Sequence, residues 1–295
     1  MASLKALRMR INSVKSTRKI TQAMKMVAAA KLRRAQTRAE AARPYAERME
    51  RMLASLGSAV AGQPDAPRLL VGTGGDAVHL LVVISGDRGL AGAFNTNVGR
   101  FARTRIRELE GHGKTVKILA VGRKGAVFLK REFASRFLGE ISFAGKKVVG
   151  FEDAAQVAAQ ITELLDEGAF DVCSLVYNRF RNVITQVPTE QQMIPAALPE
   201  EKGEDAPAGP QALYEYEPAE DEILAALLPQ NLAVQIYRAI LETNAGFYGS
   251  QMTAMDNATR NAGEMINKLT LNYNRTRQAN ITRELIEIIS GAEAL

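Results

Sequence analysis

The stretch KITQAMKMVAAAKLRRAQ, residues 19–36, contains no Gly, no Pro and no acid, and it sets Ala28, Ala29 and Ala30 between Lys25 and Lys31. Nothing in it breaks a helix, and Ala is the best helix former. A DNA-binding helix can look like this, and so can a thin shaft. Reading outward shows that the stretch is a window in a longer pattern. An apolar or small residue returns at alternating steps of three and four: Leu4, Leu7, Ile11, Val14, then Thr21, Met24, Ala28, Leu32, Ala35, Ala39, Ala42, Ala46, Met49, Leu53 and Leu56. That spacing is a coiled-coil seam. At ~1.5 Å per residue such a helix is on the order of 80 Å long, where a mean helix has only about 11–12 residues. Pro44 predicts a kink or a joint near Arg43. Gly57, Gly62, Pro64, Pro67, Gly72, Gly74 and Gly75 then predict the end of the helix and a loop.

The C-terminal third mirrors this pattern. No proline follows Pro229, and Leu241, Ala245, Tyr248, Met252, Met255, Ala262, Ile266, Leu269, Tyr273, Ile281, Leu285 and Ile288 keep an approximate helical stripe. A lone long helix has too little to bury, so the economical arrangement pairs the two terminal helices antiparallel, with a compact domain joining them.

The middle of the chain has a different period. Apolar, β-branched runs at HLLVVIS (79–85), TVKILAVG (115–122) and DVCSLVYN (171–178) alternate with helical patterns at 94–110, 123–133 and 152–166. Short buried strands alternating with helices predict a parallel sheet. NVITQVPTEQQMIP (182–195) alternates more strictly and adds a half-exposed strand, which Pro188 confines to an edge or a bulge. Residues 199–211 form a polar Gly/Pro-rich loop, and no internal repeat is found. The fold class expected is therefore α/β: a long antiparallel coiled coil of N- and C-terminal helices with a central Rossmann-like α/β domain. The division expected is 1–57 for the first helix, 76–218 for the α/β domain and 219–295 for the last helix.

Composition excludes several classes. With 46% hydrophobic residues in 295, the chain can bury a core. Its single cysteine, Cys173, allows no disulfide within the chain and suits a reducing compartment, and His79 and His112 are too few for a histidine-built metal centre. No run reaches the roughly 18 consecutive apolar residues of a membrane span. The start lacks the apolar core and cleavage site of a secretory signal. It is Arg-rich and acid-poor like a mitochondrial presequence, but its helical period continues for about 50 residues.

Charge is unevenly placed. The net charge is +6, yet residues 1–56 carry +11 by themselves, residues 220–295 carry −3 and the residues between carry −2. The basicity belongs to one element, whose self-repulsion implies an acidic partner. Nucleic acid is one candidate, although Tyr45 is the only aromatic residue on that helix and no zipper or helix-turn-helix surrounds it. An acidic protein surface is the other.

The glycines of SGDRGLAGAFN (85–95), Gly86, Gly89 and Gly92, stand where a phosphate loop would sit, between a strand and a helix, but they do not spell GxGxxG, and no GxxxxGK[ST] occurs. A tight strand-to-helix turn is expected, with Asp87 and Arg88 in a local salt bridge or a partner contact. No Ser/His/Asp or Cys/His set can be assembled, so neither a catalytic residue nor a metal or cofactor site is expected. Cys173 lies on a buried strand as an inert core residue.

The end of the chain, ANITRELIEIISGAEAL (279–295), resembles the closing signature of the gamma subunit of F-type ATP synthases, with Ile281, Thr282, Glu284, Glu287, Gly291 and Ala292 at the expected spacing. INSVKSTRKITQAMKMVAAAKLRRAQ followed by RPYAERM is similar to the same family's first helix, and SGDRGLAGAFNTNV and LYEYEP are similar to its central domain. The resemblance runs through essentially the whole chain in order. It implies a shaft of paired helices inside a hexamer of alternating alpha and beta subunits. It also implies a foot that grips the c-ring and the epsilon subunit, with no nucleic acid among the partners, at the cytoplasmic face of a bacterial inner membrane. Residue by residue, it implies that Lys19, Met24, Lys25, Arg33 and Arg34 lie at or near the neck facing the alpha/beta head, and that Arg277, Gln278, Thr282, Glu284 and Glu287 contact the catalytic subunits. Tyr214, Tyr216 and Glu217 would meet the ring and epsilon. Lys25 sits where some relatives carry an acid. The redox-controlled chloroplast type has an inserted cysteine pair, which a single cysteine cannot form.

Overall fold

The computed structural model of the chain describes residues 3–60, 66–146, 148–196 and 220–293. The apolar run VHLLVVI makes strand β1, Val78–Ile84, and both of its faces are buried. Leu80, Val82 and Ile84 point into one core, and Leu81 and Val83 into the other. Alternation cannot show in such a strand, because each face needs apolar residues. Helix α1 spans Leu4–Val60 and helix α2 Arg68–Val71; after β1 come α3 (Phe94–Gly111), β2 (Thr115–Val121), α4 (Arg123–Phe133), β3 (Phe137–Ile141), α5 (Phe151–Asp166), β4 (Val172–Phe180), β5 (Gln186–Ile194) and α6 (Glu220–Glu293). The sheet order is β3-β2-β1-β4-β5. The first four strands run parallel and β5 runs antiparallel against β4.

The two cores follow from this order. Val98, Ala102 and Ile106 of α3 and Leu129 and Phe133 of α4 cover one face of the sheet. Val157, Ile161 and Leu165 of α5, with Leu232, Ile236 and Ile240 of α6, cover the other. Pro188 lies in β5, an edge strand, as the sequence required; the bulge falls elsewhere, between Cys173 and Ser174 of β4. Strand β3 has no counterpart in the sequence reading. Its five residues, FLGEI, alternate between half-buried and exposed around Gly139, so it carries no apolar run.

Compactness divides the chain into two units, Met1–Ala30 with Gln251–Leu295, and Lys31–Ser250. Helix α1 continues through Pro44 and past Gly57, and α6 contains Pro229. The proline does not end α1, because the buried seam on both sides of it, Ala39 and Ala46, outweighs the local cost. In the second unit that seam is Leu32, Ala35, Ala39, Ala46, Met49 and Leu53, all buried, and Met49 and Leu53 cluster with Leu70, Leu224 and Leu228. The stretch Ile223–Ala292 includes an 18-residue window of mean hydropathy 1.2, half of it buried in the chain. Leu224 and Leu228 cluster with α1 and α2, and Leu232, Ile236 and Ile240 pack on the sheet.

Candidate functional site

In the first unit the seam residues Leu7, Ile11, Thr21 and Ala28 are buried. The Lys25 Nζ lies 2.6 Å from Asp256 Oδ1, and the hydroxyls of Thr21 and Thr259 lie 2.8 Å apart. Moving back along α1 from 25 to 21 moves the partner forward along α6 from 256 to 259, which is an antiparallel pairing. A polar pair inside an apolar seam fixes register at some cost in stability. Asp256 also approaches Arg260, and the Lys25 hydrogen bond is the main reason its carboxyl is held below the usual range. Lys25 is therefore engaged across the seam and not simply displayed outward. Met24 is half-buried, and Lys19 is exposed. Ala28 fills the seam while Ala29 and Ala30 face out, so the outer surface there is no thicker than a methyl group.

The far end of α6 has the opposite character. Arg277, Gln278, Thr282, Glu284 and Glu287 are all exposed, and with them Ile281, Leu285, Ile286, Ile288 and Ile289 keep 49–67% of their surface open. Five large apolar side chains stand open within nine residues, on more than one face of the helix, an arrangement uncommon on a monomer's surface. Ile281, Leu285 and Ile288 lie on the helical stripe legible in the sequence, whereas Ile286 and Ile289 lie off it. The same holds for Ile20, Met26 and Val27, exposed around Met24. Their signal was apolarity out of phase with the seam.

In the second unit Arg33 and Arg34 are exposed, while Lys31 reaches over the Tyr248 ring at 5.4 Å. Tyr214, Tyr216 and Glu217 lie outside the described residues.

The turn 85–95 spends its polar side chains on contacts within the chain. Asp87 turns its carboxylate onto the start of α4: Oδ1 accepts from the Arg123 N–H at 3.0 Å and the Ser142 hydroxyl at 2.8 Å, and Oδ2 accepts from the Phe143 N–H at 3.1 Å. The Ser85 hydroxyl accepts from the Gly125 N–H at 2.8 Å. The Asn95 side chain accepts from Gly86 N–H and donates to the Arg88 carbonyl. A helix start binds an anion through its free N–H groups; at α4 the Asp87 carboxylate and the Ser85 hydroxyl hold the Arg123 and Gly125 donors, while the Asn95 amide pins the turn before α3. Gly122, at φ +104°, lets this happen, because a Cβ there would collide with the Ser85 carbonyl. Asp87 thus ties three backbone segments together, a role different from the local salt bridge expected as one option.

Terminal helices of 57 and 74 residues with long exposed surfaces, connected through a five-stranded α/β sheet, define the class of stalk proteins. The family profile described as ATP synthase matches residues 3–295. The chain is 68% identical to the ATP synthase gamma chain of Granulibacter bethesdensis, 61% to that of Acidiphilium cryptum and 58% to that of Rhodospirillum rubrum, in each case over the whole of both chains. Among solved structures it is similar to a chain of the central stalk and c-ring of the Tetrahymena thermophila mitochondrial ATP synthase. That match has a TM-score of 0.61 and 27% identity and covers 81% of this chain and 99% of that one. A chain of the Euglena gracilis mitochondrial ATP synthase shares the fold, with a TM-score of 0.69 and 22% identity over 99% of this chain and 94% of that one. The chain belongs to the ATP synthase gamma family, the rotor subunit of the central stalk, and is part of the membrane-associated F1 complex. The nucleic-acid reading finds no support in these comparisons.

Proposed function

We propose that residues 1–57 and 219–295 work as a shaft inside the alpha/beta hexamer, and residues 76–218 as a foot on the c-ring and the epsilon subunit. Proton flow turns the ring and the chain with it. The uneven surface of the turning shaft drives the beta subunits through open and closed nucleotide states, for synthesis or hydrolysis of ATP. The chain supplies no catalytic group and no cofactor site, and the complex lies at the cytoplasmic face of the bacterial inner membrane. Lys19, Met24, Arg33 and Arg34 face the head at the neck, and Lys25 contributes by fixing the register of the helix pair. Arg277, Gln278, Thr282, Glu284 and Glu287 meet the head at the end of α6, and Tyr214, Tyr216 and Glu217 meet the ring and epsilon. Solvated cations suit a sliding contact, since they attract acidic loops over a Debye length of ~8 Å without locking one angle.

The observation that carries this reading is the uncovered end of α6, where Ile281, Leu285, Ile286, Ile288 and Ile289 stand open beside exposed charges. Reconstitution tests it. The purified chain alone should hydrolyse no ATP, and vesicles rebuilt with all other subunits should make ATP from a proton gradient only when the chain is added. ATP turnover by the chain alone, abolished by changing Asp87, or full synthesis in its absence, would overturn the proposal.

A further inference from the structure

Strand β4 outruns its neighbour. It pairs with β1 from Val172 to Val176 but continues to Phe180, so its last residues show β1's side an open edge. Helix α6 closes that edge. The Phe180 N–H donates to Glu242 Oε2 at 3.2 Å, and Glu242, 1% exposed, also lies 3.5 Å from Arg238 on its own helix. Asn178, equally buried, donates from its side-chain amide to the Phe94 carbonyl at 3.2 Å.

Above these bonds the rings of Phe94 and Phe247 meet edge to face, 6.0 Å between centroids. Both sit in slots cut by glycine. A Cβ on Gly86 would stand 2.9 Å from the Phe247 ring, and a Cβ on Gly246 would stand 2.9 Å from the Phe94 ring. Ser250 donates to Gln186 Oε1 at 2.7 Å from the same stretch of α6.

The location gives these contacts meaning. From β1 the chain proceeds outward to β2 and β3, then returns to β4 on β1's other side, so the topological switch point lies between β1 and β4. In open α/β sheets the crevice at the carboxyl ends of those strands takes the ligand. Here it takes Phe247 and Glu242 of α6.

We infer that this crevice is the joint through which turning force passes between the α/β domain and α6, with Phe247 and Glu242 as its positioning residues. The inference rests on the rotor reading. Apolar packing alone resists separation but permits sliding. Two rings seated in reciprocal glycine slots, and a carboxylate bound to a strand-end N–H, fix the rotation of α6 about its own axis. One residue of helical rotation, roughly 100°, would carry Phe247 out of its slot.

The test uses the whole complex in vesicles, with Phe247→Ala, Phe247→Leu and Glu242→Gln in the full chain. It measures the amount assembled, the ATP hydrolysis rate, and protons pumped per ATP hydrolysed. Pumping per ATP should fall by roughly threefold or more in Phe247→Ala, because a closely packed joint that loses a ring slips under load. Phe247→Leu should restore much of it, and Glu242→Gln should give a smaller fall in the same direction. If Phe247→Ala does not assemble, Glu242→Gln carries the test. Variants that assemble in lower amount but pump at the wild-type ratio would show these residues to be only structural and overturn the inference. Failure of the wild-type chain to restore pumping would instead overturn the rotor reading.

Discussion

Removing the Asp87 carboxylate separates a structural role from a chemical one. Asp87→Ala leaves the Arg123 N–H at the first turn of α4, the Phe143 N–H and the Ser142 hydroxyl without their acceptor. Loss of a helix cap costs about 0.5–2 kcal/mol. A further N–H that loses a charged acceptor adds about 1.5–3 kcal/mol where water does not replace it. Because the side chain is only half-buried, water recovers part of the loss, and about 2 kcal/mol is the expected sum. At about 2–4 °C per kcal/mol for a unit of this size, the thermal midpoint should fall by about 4–8 °C. Asp87→Asn keeps an acceptor oxygen and should lose about half as much. Far-UV circular dichroism of the full chain reads the midpoint, and the ATPase of the reconstituted complex, at matched assembly, reads function. Both variants should leave hydrolysis per complex largely intact. A midpoint unchanged within about 0.5 kcal/mol, together with an assembled complex that has lost hydrolysis, would refute the capping role and put Asp87 in the chemistry or in a partner contact.

Acid should act through Asp171, whose carboxyl is held below its ordinary value first by the Thr73 hydroxyl and then by the N–H groups of Val78 and Ala77. A depressed carboxyl gives stability that is complete above its unfolded value near ~4 and is lost as pH falls through the folded value. Asp171→Asn should therefore flatten the stability decline below about pH 4, and an unchanged acid limb would count against this. Burial pushes the Cys173 thiol far up. Iodoacetamide at pH 8 should label it only after denaturant is added, and Cys173→Ser should leave any oxidant effect on the complex unchanged; rapid native labelling would contradict the core placement. Lys19, Arg33 and Arg34 are exposed, each worth about 0.2–1 kcal/mol in any single pair. Reversing all three to Glu should lower proton-driven ATP synthesis in vesicles more than assembly, and Gln at all three should do much less. A Gln variant that assembles yet makes no ATP would show that charge, not shape, carries torque.

The seam, the buried strands and the edge strand could be read because periodicity reports which face of one element is buried. Leu32 and Ala39 follow from local spacing, and Val82 from an unbroken apolar run. Strand β3 escaped because its five residues, with Gly139 at the centre, carry no apolar run, and their alternating burial is not matched by alternating apolar and polar residues. Gly86, Phe94, Glu242 and Phe247 escaped for another reason. They meet only because β4 outruns β1 and α6 returns across the gap, pairings between residues 62 apart for Glu242 and Phe180 and roughly 150–160 apart for the rings and glycines, which no local period encodes.

Lys25 shows where the boundary between the two cases falls. It stands next to Met24 at the flank of the seam, the position where coiled coils place interhelical ion pairs, whereas Lys19 lies farther round toward solvent. The sequence therefore distinguishes the two cations by angle. It cannot supply Asp256 as the partner, because register between helices joined by a whole domain is set neither by a short turn nor by the apolar repeat, which matches itself again after each heptad. Register comes instead from features that break the repeat. The Thr21–Thr259 pair is such a feature, since a slip of one heptad would bury each hydroxyl against an apolar neighbour.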